Sequence, residues 1–213
     1  MAVLAPGIAA KQQSQSPVPF EADILKFEAE DAKNPPKKGG IVFVGSSSIV
    51  LWKTLKKDFP DHNVINRGFG GSQVSDSVRF AHRIVTPYEP KMVVFFAGTN
   101  DIAGGKSANT VFADYKAFVG KVREKLPSVP IAYISITPAP SRWDKVDVIR
   151  SANVQIETYA GEGKDLIFVN VFKQMLTPDG KPRPELFVED QLHMNAKGYA
   201  IWKKAIEPIL PKL

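Results

Sequence analysis

Met92-Val93-Val94-Phe95-Phe96-Ala97-Gly98-Thr99-Asn100-Asp101 is the stretch that decides how this chain folds. Its apolar half has no polar break and none of the alternation of a strand with one wet face, so it reads as a strand covered on both sides of a sheet. The Gly-Thr-Asn-Asp after it is turn chemistry, and it sets polar side chains at the carboxyl end of that strand. The same plan recurs. Ile41-Val42-Phe43-Val44 leads into Gly45-Ser46-Ser47-Ser48, and Asn63-Val64-Ile65-Asn66 leads into Arg67-Gly68-Phe69-Gly70-Gly71. Ile131-Ala132-Tyr133-Ile134-Ser135-Ile136 and Leu166-Ile167-Phe168-Val169 complete the set.

Helical patterns separate the runs. Phe20, Ile24 and Phe27 share one helical face, and that helix should stop before Asn34-Pro35-Pro36 because proline disfavours helix in the residue before it. Val111, Phe112, Tyr115, Phe118, Val119, Val122 and Leu126 form a second stripe. Tyr199, Trp202, Ile206 and Ile209 form a third, with Asn195 as its N-cap. Strands that alternate with long helices imply βαβ units, a parallel sheet, and helices on both faces through right-handed crossovers. In such open sheets ligands bind beyond the carboxyl ends of the strands. The motifs after the first three runs lie there, and Asp190-Gln191-Leu192-His193 lies just before the last helix, so all four can meet at one rim.

Size and composition bound the rest. With 213 residues, 44% of them apolar, one domain is the natural expectation: a flexible tail over residues 1–19, rich in Gln, Ser and Pro, then a single domain over 20–213. No apolar run is long enough to cross a bilayer, so no membrane span is expected. The net charge of +6 comes from scattered lysines rather than a stripe interleaved with aromatics, so a solvated basic surface is expected and nucleic acid is not. There are no cysteines, which removes disulfides, thiolate metal sites and cysteine nucleophiles. The three histidines do not cluster, so neither a metal nor a cofactor is expected. Met1 to Ala10 resemble the end of an export signal without its basic start; export to the periplasm or the medium is the expectation, and a cytoplasmic location is the alternative.

The four motifs supply complementary parts. Ser47 is the candidate nucleophile, held on a tight turn after Gly45, with Ser46 and Ser48 as rivals; a serine cluster here would also serve as a helix cap. Gly71, in a glycine cluster that permits a sharp turn, can bring its backbone N–H close to a substrate. The Asn100 amide can donate to the oxygen of a tetrahedral intermediate, and with the N–H groups of Ser47 and Gly71 it would complete an oxyanion hole. Asp101 reads as structural, a cap for the segment after it. Asp190 and His193, three apart in one turn, can pair without help from another segment, the carboxylate orienting the ring whose other nitrogen takes the serine proton. His62, in a polar turn, and His82, in a helical stretch, lack that company. The glycine cluster is no dinucleotide fingerprint, since its spacing is wrong and it comes after the second run.

In these residues the chain resembles the SGNH hydrolase superfamily, often called GDSL esterases. Ser47 matches the nucleophile block, Gly71 the glycine block, Asn100 the asparagine block within Gly98-Thr99-Asn100-Asp101, and Asp190 with His193 the Asp-x-x-His block. The family's Gly-Asp-Ser-Leu is Gly45-Ser46-Ser47-Ser48 here, so the aspartate after the glycine has become Ser46. The resemblance implies a flavodoxin-like three-layer α/β/α sandwich, with five mostly parallel strands, and hydrolysis of esters or thioesters without a cofactor. The segments between motifs are short and leave no long lid, so an open, shallow cleft and a short acyl group are expected, acetyl above all, on a small molecule or a carbohydrate. Arg67, Arg142 and Trp143 are candidate substrate contacts. A lysophospholipase or thioesterase, and a non-catalytic glycan-binding module on the same scaffold, are the alternatives.

Overall fold

The computed structural model describes residues 18–211. The export-signal reading of Met1 to Ala10 and the tail up to residue 17 lie outside the described residues. Val18 and Pro19, the end of the expected tail, form a turn into the first helix, with the Glu21 N–H donating to Val18 O. Among the described residues no helix is long and apolar enough to cross a membrane.

In chain order the elements are α1 (Glu21–Lys33), β1 (Ile41–Gly45), α2 (Ser47–Val50), α3 (Leu55–Asp58), β2 (Val64–Gly68), α4 (Val74–Ile84), β3 (Met92–Phe96), α5 (Thr99–Ala103), α6 (Ala108–Arg123), β4 (Ile131–Ile134), α7 (Val146–Glu162), β5 (Leu166–Val169) and α8 (Ala196–Ile206). The five strands are parallel in the order β2-β1-β3-β4-β5. Every residue of β1, β3 and β4 is buried, as expected of runs covered on both faces.

Alternate side chains of each strand enter different cores. Val42, Val44, Val93, Phe95, Ile131 and Tyr133 pack with α1, α4, α6 and α7 on one face. Ile41, Phe43, Val94, Phe96, Ala132 and Ile134 pack with α2, α3 and α8 on the other, around Trp52 and Trp202. The result is a three-layer α/β/α sandwich with an all-parallel sheet. Burying each of these aliphatic or aromatic side chains stabilises the fold by about 1.5–3 kcal/mol.

Two elements depart from the expectation. β2 runs on through Arg67 and Gly68 rather than ending at Asn66. Parallel pairing with Val44 and Gly45 of β1 carries it there, so tertiary pairing overrides the polar character of the segment. Helix α7 has no clear signal in the sequence, because its buried face mixes Ile149 and Ile156 with Ala152, Ala160 and the polar Asn153, which blunts the apolar periodicity. Elsewhere the boundaries obey local chemistry. Helix α1 ends with Asn34 just before the two prolines, and Asn195 caps α8 by accepting from the Lys197 and Gly198 N–H groups.

Candidate active site

The turn that carries the candidate nucleophile starts where β1 ends. Gly45 has φ +146°, and a Cβ there would lie 1.8 Å from the carbonyl oxygen of Phe96, so only glycine lets β1 pass this close to β3. The next residue works through its backbone. Ser46 N–H donates to Phe96 O at 3.1 Å, and Ser46 O accepts the Ile49 N–H at 2.9 Å. The substitution of serine for the family's aspartate therefore leaves the turn intact. Ser47 opens α2, where a helix's first N–H groups have no intrahelical partner. The far end of α2 is held from two sides, with Tyr199 Oη donating to Ser48 O at 2.9 Å and Asn66 Nδ2 donating to Ile49 O at 2.6 Å.

His193 Nε2 lies 2.8 Å from Ser47 Oγ, a contact across 146 positions of sequence. On the opposite side of the ring, Nδ1 lies 2.5 Å from Asp190 Oδ2. The other carboxylate oxygen, Oδ1, accepts the backbone N–H groups of Leu192 at 2.8 Å and His193 at 2.9 Å. One short turn thus fixes its own carboxylate and aims it at its own imidazole. Gln191, between them, sits at φ +55°, in the left-handed region that a non-glycine residue seldom adopts. The hydrogen bond from the His193 backbone, then those from its ring and from Leu192, lower the Asp190 pKa to about 2 against the opposing effect of burial. The carboxylate is therefore ionised at any working pH. With the Nδ1 proton turned to Asp190, Nε2 presents its lone pair to the serine hydroxyl.

The candidate oxyanion donors come from two more strand ends. Asn100, in α5 after β3, spends one amide hydrogen on Ser72 O at 2.9 Å and keeps the second. That bond ties the asparagine to the Gly70–Ser72 turn, in which Gly71 holds φ +81°, a value that glycine adopts without penalty. Asp101 is structural as expected, but it caps an earlier segment rather than a later one: both carboxylate oxygens accept the Val74 N–H at the start of α4, at 3.2 and 3.1 Å. Burial raises its pKa against the opposing pull of Lys106, whose ammonium stands 2.9 Å away. Asn100 and Asp101 together fasten the glycine loop to the asparagine loop.

A recess of about 10 Å³ opens beside Ser47, lined by Ser46, Ser48, Phe96, Thr99, Thr137 and Leu192 together with Asn100. It is a small hollow beside a relay whose carboxylate is about half exposed. The wall at Thr137 is held by a residue that the sequence does not single out. Asn153 of α7 is buried, and its amide bonds both the N–H of Ile136 at 2.8 Å and the carbonyl of Ile136 at 3.0 Å. A lone asparagine in a helical segment gives no sign of such a bond in advance.

The three expected substrate contacts are not at this recess. Arg67 is buried because its place in β2 turns it toward the α1 side, beside Val44. Its Nη2 pairs with Asp31 at 2.5 Å, Nε donates to Tyr88 Oη at 2.7 Å, and Nη1 donates to Asn66 O at 2.8 Å. No nitrogen is left for a substrate, so Arg67 fastens α1 to the sheet edge. Arg142 and Trp143 fall in a 3₁₀ turn, Pro140–Lys145, and neither lines the recess. Arg142 Nη1 turns back to Ser141 O at 3.2 Å, and Trp143 lies under Arg150 and Lys181. His82 bonds Lys121 O at 2.9 Å and does not line the recess.

Solved structures share this architecture. A GDSL-like lipase from Bacteroides thetaiotaomicron superposes with a TM-score of 0.76 at 24% identity, over 88% of this chain and 97% of that one. A carbohydrate esterase of family 3 from Talaromyces cellulolyticus gives 0.65 at 18% identity, over 80% and 95%. A lipase/acylhydrolase from Enterococcus faecalis gives 0.64 at 20% identity, over 82% and 99%. At these identities the likeness is one of fold. Among curated proteins none matches the chain in sequence. The model of the GDSL-like lipase/acylhydrolase family does match, over residues 45–201, the span that holds Ser47, Gly71, Asn100, Asp190 and His193, and the chain belongs to that family.

Proposed function

We propose that this protein is a serine carboxylic-ester hydrolase that removes short acyl groups, acetyl above all, from an alcohol such as a sugar hydroxyl. The observation that carries the reading is the unbroken relay from Ser47 Oγ through the His193 ring to Asp190, with links of 2.8 and 2.5 Å. A hydroxyl is a poor nucleophile until a base takes its proton, and here a base stands within hydrogen-bond reach.

In this reading Ser47 Oγ attacks the acyl carbon while its proton passes to His193 Nε2. The carbonyl oxygen becomes an oxyanion and receives hydrogen bonds from the Ser47 and Gly71 N–H groups and the free amide hydrogen of Asn100. The intermediate collapses, the C–O bond to the alcohol breaks, and the imidazolium returns its proton to the departing oxygen. Asp190 stays charged and stabilises the imidazolium. Water, deprotonated by the same ring, then cleaves the acyl-enzyme and releases the acid.

Two features support the reading's finer claims. The recess beside Ser47 has room for little more than a methyl group, and Phe96 and Leu192 wall it in, which favours a short acyl group. The carbohydrate half has support from the family 3 carbohydrate esterase among the structures of like fold.

The test is hydrolysis of p-nitrophenyl esters of increasing chain length by wild type and by Ser47→Ala. We expect turnover to be highest on acetate, to fall steeply beyond butyrate, and to vanish in the variant while its circular dichroism is unchanged. Turnover retained in Ser47→Ala would reject the nucleophile. A preference for long chains would move the reading to a lysophospholipase or thioesterase, and no turnover on any ester would favour a glycan-binding module.

A further inference from the structure

One feature that the ester chemistry leaves unused is joined to it through the turn after β4. A groove of about 350 Å³ runs between α7, which contributes Arg150, Val154 and Glu157, and the segment after β5, which contributes Phe172, Lys173 and Leu176. Its volume is in the range of small-ligand sites, and its lining has the usual form for them: an apolar bed with a few polar groups set in it. Val154, in its wall, is 60% exposed although it sits in the middle of a long helix whose other aliphatic residues are mostly covered.

The groove starts at the rim that carries the site. Asn170 and Phe172 come after the carboxyl end of β5, as Pro140–Lys145 come after β4. The Arg150 guanidinium lies 5.6 Å from the ring centre of Trp143 and 5.9 Å from that of Phe172, so it links the groove to the 3₁₀ turn. That turn contacts α5, the helix of Asn100, and its Ser141 N–H donates to Gln191 O, inside the Asp190–His193 turn, at 3.1 Å. A chain held in the groove would thus be one short segment from the relay.

Its charge is specific. Arg150 and Lys173 belong to the groove and Lys181 stands 6.0 Å from the Trp143 ring, against one carboxylate in the lining, Glu157. Asp147, the other acid near Arg150, is 3.7 Å away and leaves the guanidinium half exposed. The Phe172 ring in the lining, beside the half-exposed Arg150 guanidinium and Lys173, suits a sugar that carries a carboxylate, whose ring packs on Phe172 and whose charge meets the guanidinium fork.

We infer that this groove is a second saccharide subsite, which takes a uronate-bearing stretch of the alcohol half of the substrate and presents its acylated neighbour to Ser47. The link to Ser47 rests on the hydrolase reading, but the binding itself does not. A non-acetylated galacturonic acid tetramer and a neutral xylose tetramer, titrated calorimetrically into the whole chain, test it. The uronate should bind, the neutral chain should bind at least about tenfold more weakly, and Arg150→Ala should cost the uronate about tenfold. Val154→Trp, at an exposed position that tolerates bulk, should fill the groove and abolish binding. Both variants should turn over p-nitrophenyl acetate as wild type does. Equal binding of the two tetramers, or uronate binding untouched by both variants, would overturn the inference. An active esterase without uronate binding removes the groove alone; uronate binding by a chain inert on every ester removes the hydrolase reading alone.

Discussion

The corner at Ser47 and the groove along α7 lie at the same rim of the sheet but are built in opposite ways. At the corner each functional group stands directly beyond a strand or inside one short turn. Asp190 holds His193 within one turn, Gly45 sets Ser47 at the end of β1, and Asn100 leaves β3 already tied to Ser72. The groove and its surround are assembled from separate segments. Arg150 comes from α7, Phe172 from the segment after β5, Trp143 from the turn after β4 and Lys181 from beyond Leu176, and they meet only because the tertiary fold stacks them. Chemistry needs sub-ångström placement, which short rigid segments provide. Binding the alcohol tolerates looser assembly, so changes at the corner should act on kcat and changes in the groove on KM.

Removing the base should have the largest effect: His193→Ala should lower kcat/KM on p-nitrophenyl acetate by about 10⁴-fold or more, with the melting temperature little moved. Steady-state kinetics beside thermal melts would check it, and a loss confined to KM would break the division between corner and groove. Asn100→Ala should come next, at roughly 10²–10³ in kcat, the cost of one oxyanion donor. Asn100→Ala and Asn100→Asp both lose the donor and both free Ser72 O from its partner, so the two should be equally poor; recovery of turnover in the aspartate would reject the donor role.

The pH dependence sharpens the same contrast. The folded-state pKa of Asp190, at about 2, is below its ordinary value near 4. Its contribution to stability is therefore complete above pH 4 and is lost as the pH falls through about 2. Across the usual assay range Asp190 does not titrate, so it should add no ionisation to the acid limb of kcat/KM. A rate profile with two acid-side ionisations would place a second titrating group in the relay. Smallest in kinetics but large in stability is Gly45→Ala, whose methyl would meet Phe96 O: a loss of about 3 kcal/mol or more is expected in urea unfolding, and a loss under about 1 kcal/mol would reject the close approach of β1 to β3.

The same contrast explains how much of the molecule is legible before folding. Apolar runs identify four of the strands and the Val64-Ile65 pair marks the start of β2, and their parallel arrangement is implied by the helices between them. The parts that meet at Ser47 are legible because each lies directly beyond a strand or inside one turn. Arg67 misleads because a polar residue after an apolar run suggests a loop, whereas pairing with Val44 keeps it in β2 and delivers it to Asp31 and Tyr88. Helix α7 and its Asn153 are hidden because small and polar residues interrupt the stripe, and the bond that justifies Asn153 is to Ile136 on a distant strand end. Trp143 stands out in the sequence as a ring at the rim, but which groove it borders depends on Arg150 and Lys181, and no local pattern encodes that.

The central claim is that Ser47, activated by His193, is the nucleophile. A fluorophosphonate ester, with the labelled residue located by peptide mass spectrometry, tests it most directly. One adduct on Ser47 is predicted in the wild type and none in His193→Ala. An adduct on Ser46 or Ser48, or full labelling of Ser47 without the imidazole, would contradict it.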